Sequence, residues 1–222
     1  MNMQETYRLW CDKATRDADL TQELERIKNA PAEIEDRFYR ELEFGTGGLR
    51  GVIGAGTNRM NVYTVAKASQ GYSQYCMKKF VEPKLAIAYD SRIKSDVFAR
   101  AAAEVFAGNG IQVYLYPVIM PTPSLSFAVR DLACSGGIVL TASHNPAKYN
   151  GYKVYGPDGC QITTEAAEEI QRTIDGVDPF ADVVRIDFEA GIAQGLIHWI
   201  GEATCRRYLD AVATASVLPR EV

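Results

Sequence analysis

A chain of 222 residues that carries 24 Lys and Arg against 28 Asp and Glu has a formal net charge of −4. A general cationic field that would hold nucleic acid or an anionic membrane is therefore excluded, and an anionic ligand needs a local cluster of cations. The length suits one large domain or one and a half, and the hydrophobic share of 47% is typical of a globular chain with a buried core.

Cysteine usage and the N-terminal sequence predict the compartment. The five cysteines are odd in number, widely spaced and without a CxxC pair, which favours buried free thiols under reducing conditions. The N-terminus has no apolar signal region, and no run approaches the roughly 18 residues of a membrane span. We therefore expect a cytoplasmic protein with no membrane partner.

The first predicted element is a charged helical lead-in over residues 1–40. Its apolar residues recur at helical spacing at Leu20, Leu24 and Ile27, and a second helix is predicted over 31–39 after a proline. No strand pattern occurs there, so we expect helices that pack on a domain further along the chain.

From residue 61 onward, the patterns of helices and strands alternate. Strands are predicted at 85–89, 111–115, 137–140 and 152–155. Helices are predicted from Asn61, from Ser95, after Pro121, over 164–174 and over 202–213. Ser95 is the predicted N-cap of its helix, with an aspartate in the first turn. Such alternation is typical of βαβ units with a sheet covered on both faces.

The most informative segment follows the predicted strand 137–140. In open α/β sheets ligands collect beyond the carboxyl ends of the strands, because the loops there converge on one crevice. Four polar side chains are presented together at this edge: Ser143, His144, Asn145 and Lys153. A serine can carry a phosphoryl group and cations can balance its charge, so the set predicts phosphoryl chemistry.

The residues around Ser143 predict an exposed hydroxyl. Asn145-Pro146 turns the backbone sharply, and Asn150-Gly151 is interpreted as a second turn that keeps the segment in a loop. A structural helix cap is the plainer interpretation of this serine. A Ser/His/Asp hydrolase is a further alternative, but its nucleophile elbow needs G-x-S-x-G, and Thr141-Ala-Ser143 lacks both glycines.

A glycine-rich segment, Gly45–Gly51, forms a second candidate site. Its backbone N–H groups, with Thr46 and Gly47 among them, can face a phosphate, and Arg50 adds bidentate donors. Arg50 stands where a dinucleotide fingerprint needs its third glycine, which disfavours an α/β dehydrogenase, and the Gly-Lys-Ser/Thr ending of a P-loop is missing. The alternative is a tight structural turn.

A third candidate, Asp90-Ser-Arg92, follows the predicted strand 85–89. Two interpretations of Arg92 stay open: it contacts substrate directly, or it pairs with Asp90 and holds the loop. His198 is expected to pack in an apolar corner. Three tyrosines are interpreted as core or rim residues: Tyr149, Tyr152 and Tyr155.

These segments, in this order, resemble those of the α-D-phosphohexomutases, the family of phosphoglucomutase and phosphomannomutase. The resemblance rests on Phe44-Gly-Thr-Gly-Gly-Leu-Arg-Gly51, on Tyr89-Asp-Ser-Arg92, and above all on Thr141-Ala-Ser-His-Asn-Pro146 with Tyr149-Asn-Gly-Tyr-Lys153. It covers roughly residues 40–200. It implies a three-layer α/β/α sandwich with a mixed, mostly parallel sheet, preceded by the helical N-terminal extension.

The resemblance also implies a reaction. The serine that matches Ser143 is phosphorylated, donates its phosphoryl group to a hexose monophosphate and regains one from the bound hexose 1,6-bisphosphate, which serves as intermediate and activator. Arg50 and Lys153 would lie beside this group, and His144 would orient it or share protons. Mg²⁺ would bind an oxygen of the phosphate on Ser143. The candidate substrate- and phosphate-binding residues are Thr46, Gly47, Asn145 and Arg92.

The 222 residues depart from the family pattern in one respect. The D-x-D-x-D-R metal loop, the Gly-Glu-x-Ser/x-Gly sugar loop and the Arg-x-Ser-Gly-Thr phosphate loop are absent from this sequence. We therefore expect a lead-in over 1–40, a first α/β domain over 41–200, and a C-terminal helix and linker over 201–222 toward a second domain that is missing here.

The function expected from the sequence is that of the phosphoserine-bearing N-terminal domain of a phosphohexomutase, with glucose phosphates as substrates. This chain alone is expected to be inactive, because the metal and sugar loops are missing. Its expected partners are a small phosphosugar and the remaining mutase domains, with no nucleic acid. The alternative is a non-catalytic module that binds phosphate or phosphosugars.

Overall fold

The computed structural model describes residues 2–45 and 47–215. Its N-terminal part is a lead-in of three helices: α1 (Met3–Lys13), α2 (Ala18–Ile27) and α3 (Pro31–Phe38). The helical spacing of Leu20, Leu24 and Ile27 predicted a buried face, and all three side chains are buried. Pro31 begins α3, where the missing backbone N–H costs nothing because the first turn leaves it unpaired.

The centre of the fold is a mixed sheet of six strands in the described residues. The strands are β1 (Gly48–Val52), β2 (Lys84–Tyr89), β3 (Gln112–Leu115), β4 (Gly136–Leu140), β5 (Tyr149–Tyr155) and β6 (Ile197–Trp199). Their order across the sheet is β1-β5-β4-β2-β3-β6. The β4–β2, β2–β3 and β3–β6 pairs are parallel, whereas β5 runs antiparallel to both of its neighbours. The expected mixed, mostly parallel sheet is confirmed.

Helices cover both faces of this sheet. They are α4 (Val62–Lys79), α5 (Ser95–Gly108), α6 (Thr122–Asp131), α7 (Thr164–Asp175), α8 (Phe188–Ala193) and α9 (Glu202–Thr214). Alternate residues of β2 show the division: Leu85 and Ile87 join the core with α4, α5 and α7, and Ala86 and Ala88 join a smaller core with α6. The expected three-layer sandwich is therefore confirmed.

The lead-in shares the core of the α/β layers. The indole of Trp10 is buried and meets Tyr63 of α4 and Phe180 edge-on, with ring centroids 5.6 and 5.5 Å away. Burial of one such aromatic side chain contributes about 2–3 kcal/mol. The three helices are thus attached to the sandwich by a continuous apolar contact.

Two local predictions near the candidate site were wrong. Ser95 is not an N-cap: Lys94 precedes the helix at that position, and the Ser95 hydroxyl donates to Asp90 instead. Asn150 and Gly151 do not form a turn, because both lie inside β5, opposite Gly51 and Arg50 of β1. Strands β1 and β6 and helix α8 were not predicted from the sequence.

Two expectations from the sequence concern the cysteines and a membrane span. All five cysteines are free, but only Cys76 and Cys134 are buried, so the expectation of buried thiols was wrong for the other three. Burial raises the pKa of both buried thiols to about 12. Within the described residues, no helix is both long enough and apolar enough to cross a lipid bilayer.

Candidate functional site

The serine loop, residues 141–148, joins β4 to β5 at the carboxyl end of β4. Ser143 is exposed and has a φ of 55°, in the left-handed region. This conformation costs a non-glycine residue about 1 kcal/mol. The Thr141 hydroxyl accepts the Ser143 N–H at 2.9 Å, and this bond holds the turn. Ser143 Oγ lies 3.2 Å from Nδ1 of the exposed His144, so a proton can pass between them.

A second loop holds the serine loop in place. This clamp segment, Asp90–Ser95, joins β2 to α5 at the same edge of the sheet. The Arg92 guanidinium donates to four carbonyl oxygens, those of Ser143 (2.6 Å), Asn145 (2.6 Å), Pro146 (3.2 Å) and Tyr149 (3.0 Å). Its side chain is 13% exposed. A planar guanidinium with five donors can hold several carbonyls at once, which a lysine cannot.

A hydrogen-bond network connects the clamp segment to the start of β5. The Ser95 hydroxyl donates to Asp90 Oδ1 at 2.9 Å and accepts from the Asn150 amide at 3.0 Å. The same amide donates to the Ile93 carbonyl at 3.0 Å. Ser95 and Asn150 are both fully buried. Because buried polar groups without partners are costly, this network fixes the clamp segment against β5.

A cleft of about 430 Å³ opens beside the serine loop, over the β1–β5 edge. Gly48 pairs with Lys153 and Arg50 with Gly151 across the two strands, which places Arg50 and Lys153 on the same face. Arg50 and Lys153 line this cleft, and so does Thr141 at the end of β4. We call it the cation cleft.

Two glycines keep this edge of the sheet closely packed. A β-carbon on Gly48, whose φ is 144°, would lie 1.8 Å from the carbonyl oxygen of Tyr152. A β-carbon on Gly151 would lie 2.5 Å from the carbonyl oxygen of Thr141. Side chains at either position would push β1 or β4 away from β5, so the position of the cleft depends on both glycines.

The cations of the cleft are available to a ligand. The side chains of Arg50 and Lys153 make no ion pair or hydrogen bond with any residue that the structure describes. Arg50 is exposed and Lys153 is half-buried. Glu43 lines the same cleft and is the one carboxylate among its described lining residues. Two cations that have no partner among the described residues suit a phosphate.

The predicted site residues fall into two adjoining groups. Gly47, Arg50 and Lys153 line the cation cleft. A neighbouring cleft of about 390 Å³ is lined by residues that include Ser143, Asn145 and Arg92. Thr141 joins the groups, because it lines the first cleft and bonds to Ser143 of the second. Thr46 lies outside the described residues.

The side-chain oxygen of Asn145 is not held by a hydrogen bond from the described residues. Its Oδ1 atom is buried and has no hydrogen-bond partner among them. A buried carbonyl oxygen of this kind gains about 1–3 kcal/mol from a donor. Because this atom has almost no accessible surface, a ligand in the neighbouring cleft could bond to it only after the side chain turns.

The sequence analysis missed three residues that support this site: Thr141, Ser95 and Asn150. A threonine two residues before a serine is a recognisable signal, since its hydroxyl can bond the following backbone N–H. Ser95 and Asn150 gave no such signal, because their contact joins residues 55 positions apart.

Few side chains in this part of the chain are placed to bind a divalent cation. No group of three or more His, Cys, Asp or Glu side chains in residues 2–45 and 47–215 is arranged to hold one. Asp90 of the clamp segment already accepts from the Arg92 N–H and the Ser95 hydroxyl. Magnesium prefers a near-octahedral set of oxygens that includes carboxylates, so the described residues do not fit it by themselves.

Comparisons with known proteins agree with the geometry. The family model of the α/β/α domain I of phosphoglucomutase/phosphomannomutase matches residues 41–179. A phosphoglucomutase of Staphylococcus epidermidis is 45% identical over 143 residues, or 64% of this chain and 26% of the relative. One of Staphylococcus aureus is 44% identical over 155 residues, or 70% and 28%. The chain thus spans about a quarter of the length of these relatives.

Solved structures of the same family are also similar to this chain. A proposed phosphomannomutase of Thermus thermophilus is 34% identical with a TM-score of 0.60, over 67% of this chain and 32% of that one. A phosphoglucomutase/phosphomannomutase family protein of Burkholderia thailandensis is 22% identical with a TM-score of 0.54, over 71% and 32%, which supports the fold alone. Since the family model covers more than half of the residues, the chain belongs to the phosphoglucomutase/phosphomannomutase family.

Proposed function

We propose that this chain is the phosphoserine-bearing first domain of a phosphohexomutase, and that Ser143 carries the phosphoryl group. One observation carries the proposal: an exposed serine in a left-handed turn lies next to a cleft with two cations that have no partner in residues 2–45 and 47–215. A phosphoserine carries a charge of about −1.5 to −2 near neutral pH and needs such cations close by. The family relationship makes a phosphosugar the ligand class to test first.

The proposed reaction moves one phosphoryl group each way. Ser143 Oγ bonds to the phosphorus of a hexose 1,6-bisphosphate while the bond from phosphorus to the sugar oxygen breaks. The hydroxyl proton leaves through His144, 3.2 Å away, and the sugar oxygen gains a proton. In the return step a sugar hydroxyl attacks the phosphoserine. Arg50 and Lys153 balance the charge on the transferring phosphoryl oxygens.

The other candidate residues take supporting roles in this proposal. The backbone N–H of Gly47 donates to the Gly45 carbonyl, so we assign Gly47 to the shape of the glycine-rich turn, and Thr46 is proposed to contact the phosphate. Asn145 lines the neighbouring cleft and is proposed to contact the ligand once its side-chain amide, whose Oδ1 is buried here, turns toward it. The four carbonyl contacts of Arg92 support the interpretation that it holds the loop, and we assign it that role in place of a phosphate contact.

The finer features of the whole protein are proposals as well. Glucose is the proposed sugar, because the relatives at 44–45% identity are named phosphoglucomutases. The proposed domains remain a lead-in over 1–40, an α/β domain over 41–200 and a helix with linker over 201–222. Magnesium would supply a Lewis acid at the phosphate, with ligands from outside the described residues. The free cysteines support a cytoplasmic location.

Phosphate mapping tests the carrier role of Ser143. Residues 1–200 of this chain, joined to the later domains of the Staphylococcus aureus phosphoglucomutase, are incubated with glucose 1,6-bisphosphate and magnesium, and intact mass and peptide mapping locate any phosphate. Phosphate on Ser143, and none in the Ser143→Ala variant, is the expected result. Phosphate on another serine would contradict the assignment.

A chimera tests the mutase activity. Residues 1–200 of this chain replace the matching N-terminal part of the Staphylococcus aureus phosphoglucomutase. We expect the chimera to interconvert glucose 1-phosphate and glucose 6-phosphate, the Ser143→Ala chimera to lose at least about 10³-fold in rate, and the 222-residue chain to show no turnover. Turnover by the Ser143→Ala chimera would refute the proposal.

Calorimetry separates the enzyme domain from a binding module. A stand-alone module should bind glucose 1,6-bisphosphate in the micromolar range through the cation cleft alone. An enzyme domain that shares its substrate with other domains should bind it at least about tenfold more weakly. Micromolar binding without phosphate transfer to Ser143 would favour the module.

A further inference from the structure

The helical lead-in contacts the clamp segment through one lysine. Lys94 Nζ lies 2.6 Å from Asp17 Oδ2 and 2.8 Å from Asp19 Oδ2, at the N-terminus of α2. Asp17 is also the N-cap of α2. The side chains of Lys94 and Asp17 are only 19% and 12% exposed. This pair is therefore more shielded from solvent than an ordinary surface ion pair.

Lys94 has an unusual place in the clamp segment. Arg92 and Ser95 bond to the serine loop and to β5, and the Ile93 carbonyl accepts from Asn150. Lys94 lies between them with a φ of 61°, and its side chain contacts α2 instead. A lysine in the left-handed region is strained, so its surroundings must hold it there. The Lys94 carbonyl accepts from the Phe98 N–H, and its side chain is held by the two aspartates.

The pKa shifts of Lys94 and Asp19 agree with an ion pair between them. Burial by itself lowers the pKa of Lys94, but the hydrogen bonds that its ammonium donates to Asp17 and Asp19 outweigh it and raise the pKa above its ordinary value. The hydrogen bond from Lys94 lowers the pKa of Asp19. Both groups are therefore charged throughout the neutral range.

On the basis of the proposed function, we propose that Lys94 is a positioning residue that couples the docking of the lead-in to the conformation of the serine loop. The path is short. The lead-in fixes Lys94 through Asp17 and Asp19, and Lys94 fixes the backbone on both sides of it. Arg92 and Ser95 then hold the loop that carries Ser143.

Hydrogen exchange on the 222-residue chain tests this coupling directly. The reporters are the amides of Asn145 and Tyr149, which donate to carbonyls within the serine loop. Lys94→Asn removes the ammonium but tolerates a left-handed backbone. We expect it to speed exchange in the serine loop about five- to tenfold, with no change in β2 or β4. Lys94→Arg, which can keep both ion pairs, should restore the parent rate.

Arg16→Gln is the matched control. Arg16 donates to Glu104 of α5 at 3.1 Å, so it also joins the lead-in to the sandwich, but it makes no contact with the clamp segment among the described residues. We expect slow exchange to persist in its serine loop. Equal acceleration in Arg16→Gln, unchanged exchange in Lys94→Asn, or acceleration throughout the chain would overturn the coupling.

Further variants keep the test decisive. If Lys94→Asn does not fold, Asp19→Asn removes one partner at a side chain that is 74% exposed. In the chimera, Lys94→Asn should lower kcat about fivefold with KM unchanged, and Lys94→Arg should recover it. If the parent chimera is inactive, the proposed function fails, but the exchange measurements on the 222-residue chain still decide whether Lys94 couples the two regions.

Discussion

Two arginines at one edge of the sheet have opposite roles. Arg92 is nearly buried and donates to four carbonyls of the serine loop. Arg50 lies on the neighbouring β1 edge, exposed and unpaired among the described residues. An arginine whose donors are all taken by its own chain fixes structure, whereas one left open can meet a ligand. Residue type and position at a strand end do not separate these two roles.

The difference lies in what each loop leaves unsatisfied. The turns of the serine loop place several carbonyl oxygens on one side, and the Arg92 guanidinium donates hydrogen bonds to them. At the β1–β5 edge, pairing with β5 satisfies the backbone groups that β1 turns toward it, and Gly151 lets the Thr141 carbonyl approach closely. The structure therefore separates the region that holds Ser143, the proposed nucleophile, from the region proposed to hold its phosphate.

The largest expected effect concerns the cation cleft. In the chimera, Lys153→Met should lower phosphoryl transfer by about 10²–10³-fold, or about 3–4 kcal/mol, because a positioned cation beside the transferring group is lost. The melting temperature of the 222-residue chain should not change, since the Lys153 side chain makes no hydrogen bond or ion pair with the described residues. Steady-state kinetics and thermal unfolding measure the two. A fall in melting temperature with full activity would reverse the assigned roles.

The next effect concerns Arg92. Arg92→Gln should lower the free energy of unfolding by about 2–3 kcal/mol, because four loop carbonyls lose a charged donor. Arg50→Gln is the matched control and should leave stability within about 0.5 kcal/mol. Urea denaturation followed by circular dichroism compares the two variants. Equal losses in both would contradict the distinction between them.

The sequence was sufficient for the elements with strong hydrophobic patterns. Strands β2 and β4 and helix α7 lie within two residues of their predicted bounds, and α4 begins one residue after its predicted start, because each has a continuous apolar run or a helical apolar stripe. Strand β1 was missed because Gly48-Leu-Arg-Gly-Val52 has two glycines and no alternation. It becomes a strand only through its pairing with β5.

The candidate site shows the same division. Ser143, Arg50 and Lys153 could be selected because their chemistry is visible in the sequence beside strand ends and glycines. The role of Arg92 could not be decided, because its four acceptors are backbone carbonyls more than 50 residues away. Ser95 was misassigned as an N-cap for a similar reason: its partner Asn150 is distant in sequence.

A smaller effect is expected for that serine. Ser95→Ala should destabilise the chain by about 1–2 kcal/mol, since the buried Asp90 and Asn150 contacts lose a shared partner. Ser91→Ala lies in the same segment, at an exposed position, and should be neutral. Urea midpoints for the two variants measure the contrast, and equal midpoints would show that the network contributes little.

The smallest expected effect is a gain in stability at the nucleophile itself. Ser143→Gly should raise the free energy of unfolding by about 0.5–1 kcal/mol, because glycine adopts the left-handed conformation without strain. Ser143→Ala keeps the β-carbon and should leave stability unchanged while it removes the same hydroxyl. If both variants are equally stable, the turn is not strained. If only glycine stabilises, the clamp segment holds Ser143 in a conformation that its own backbone disfavours, as expected where a loop is shaped for a ligand and not for stability.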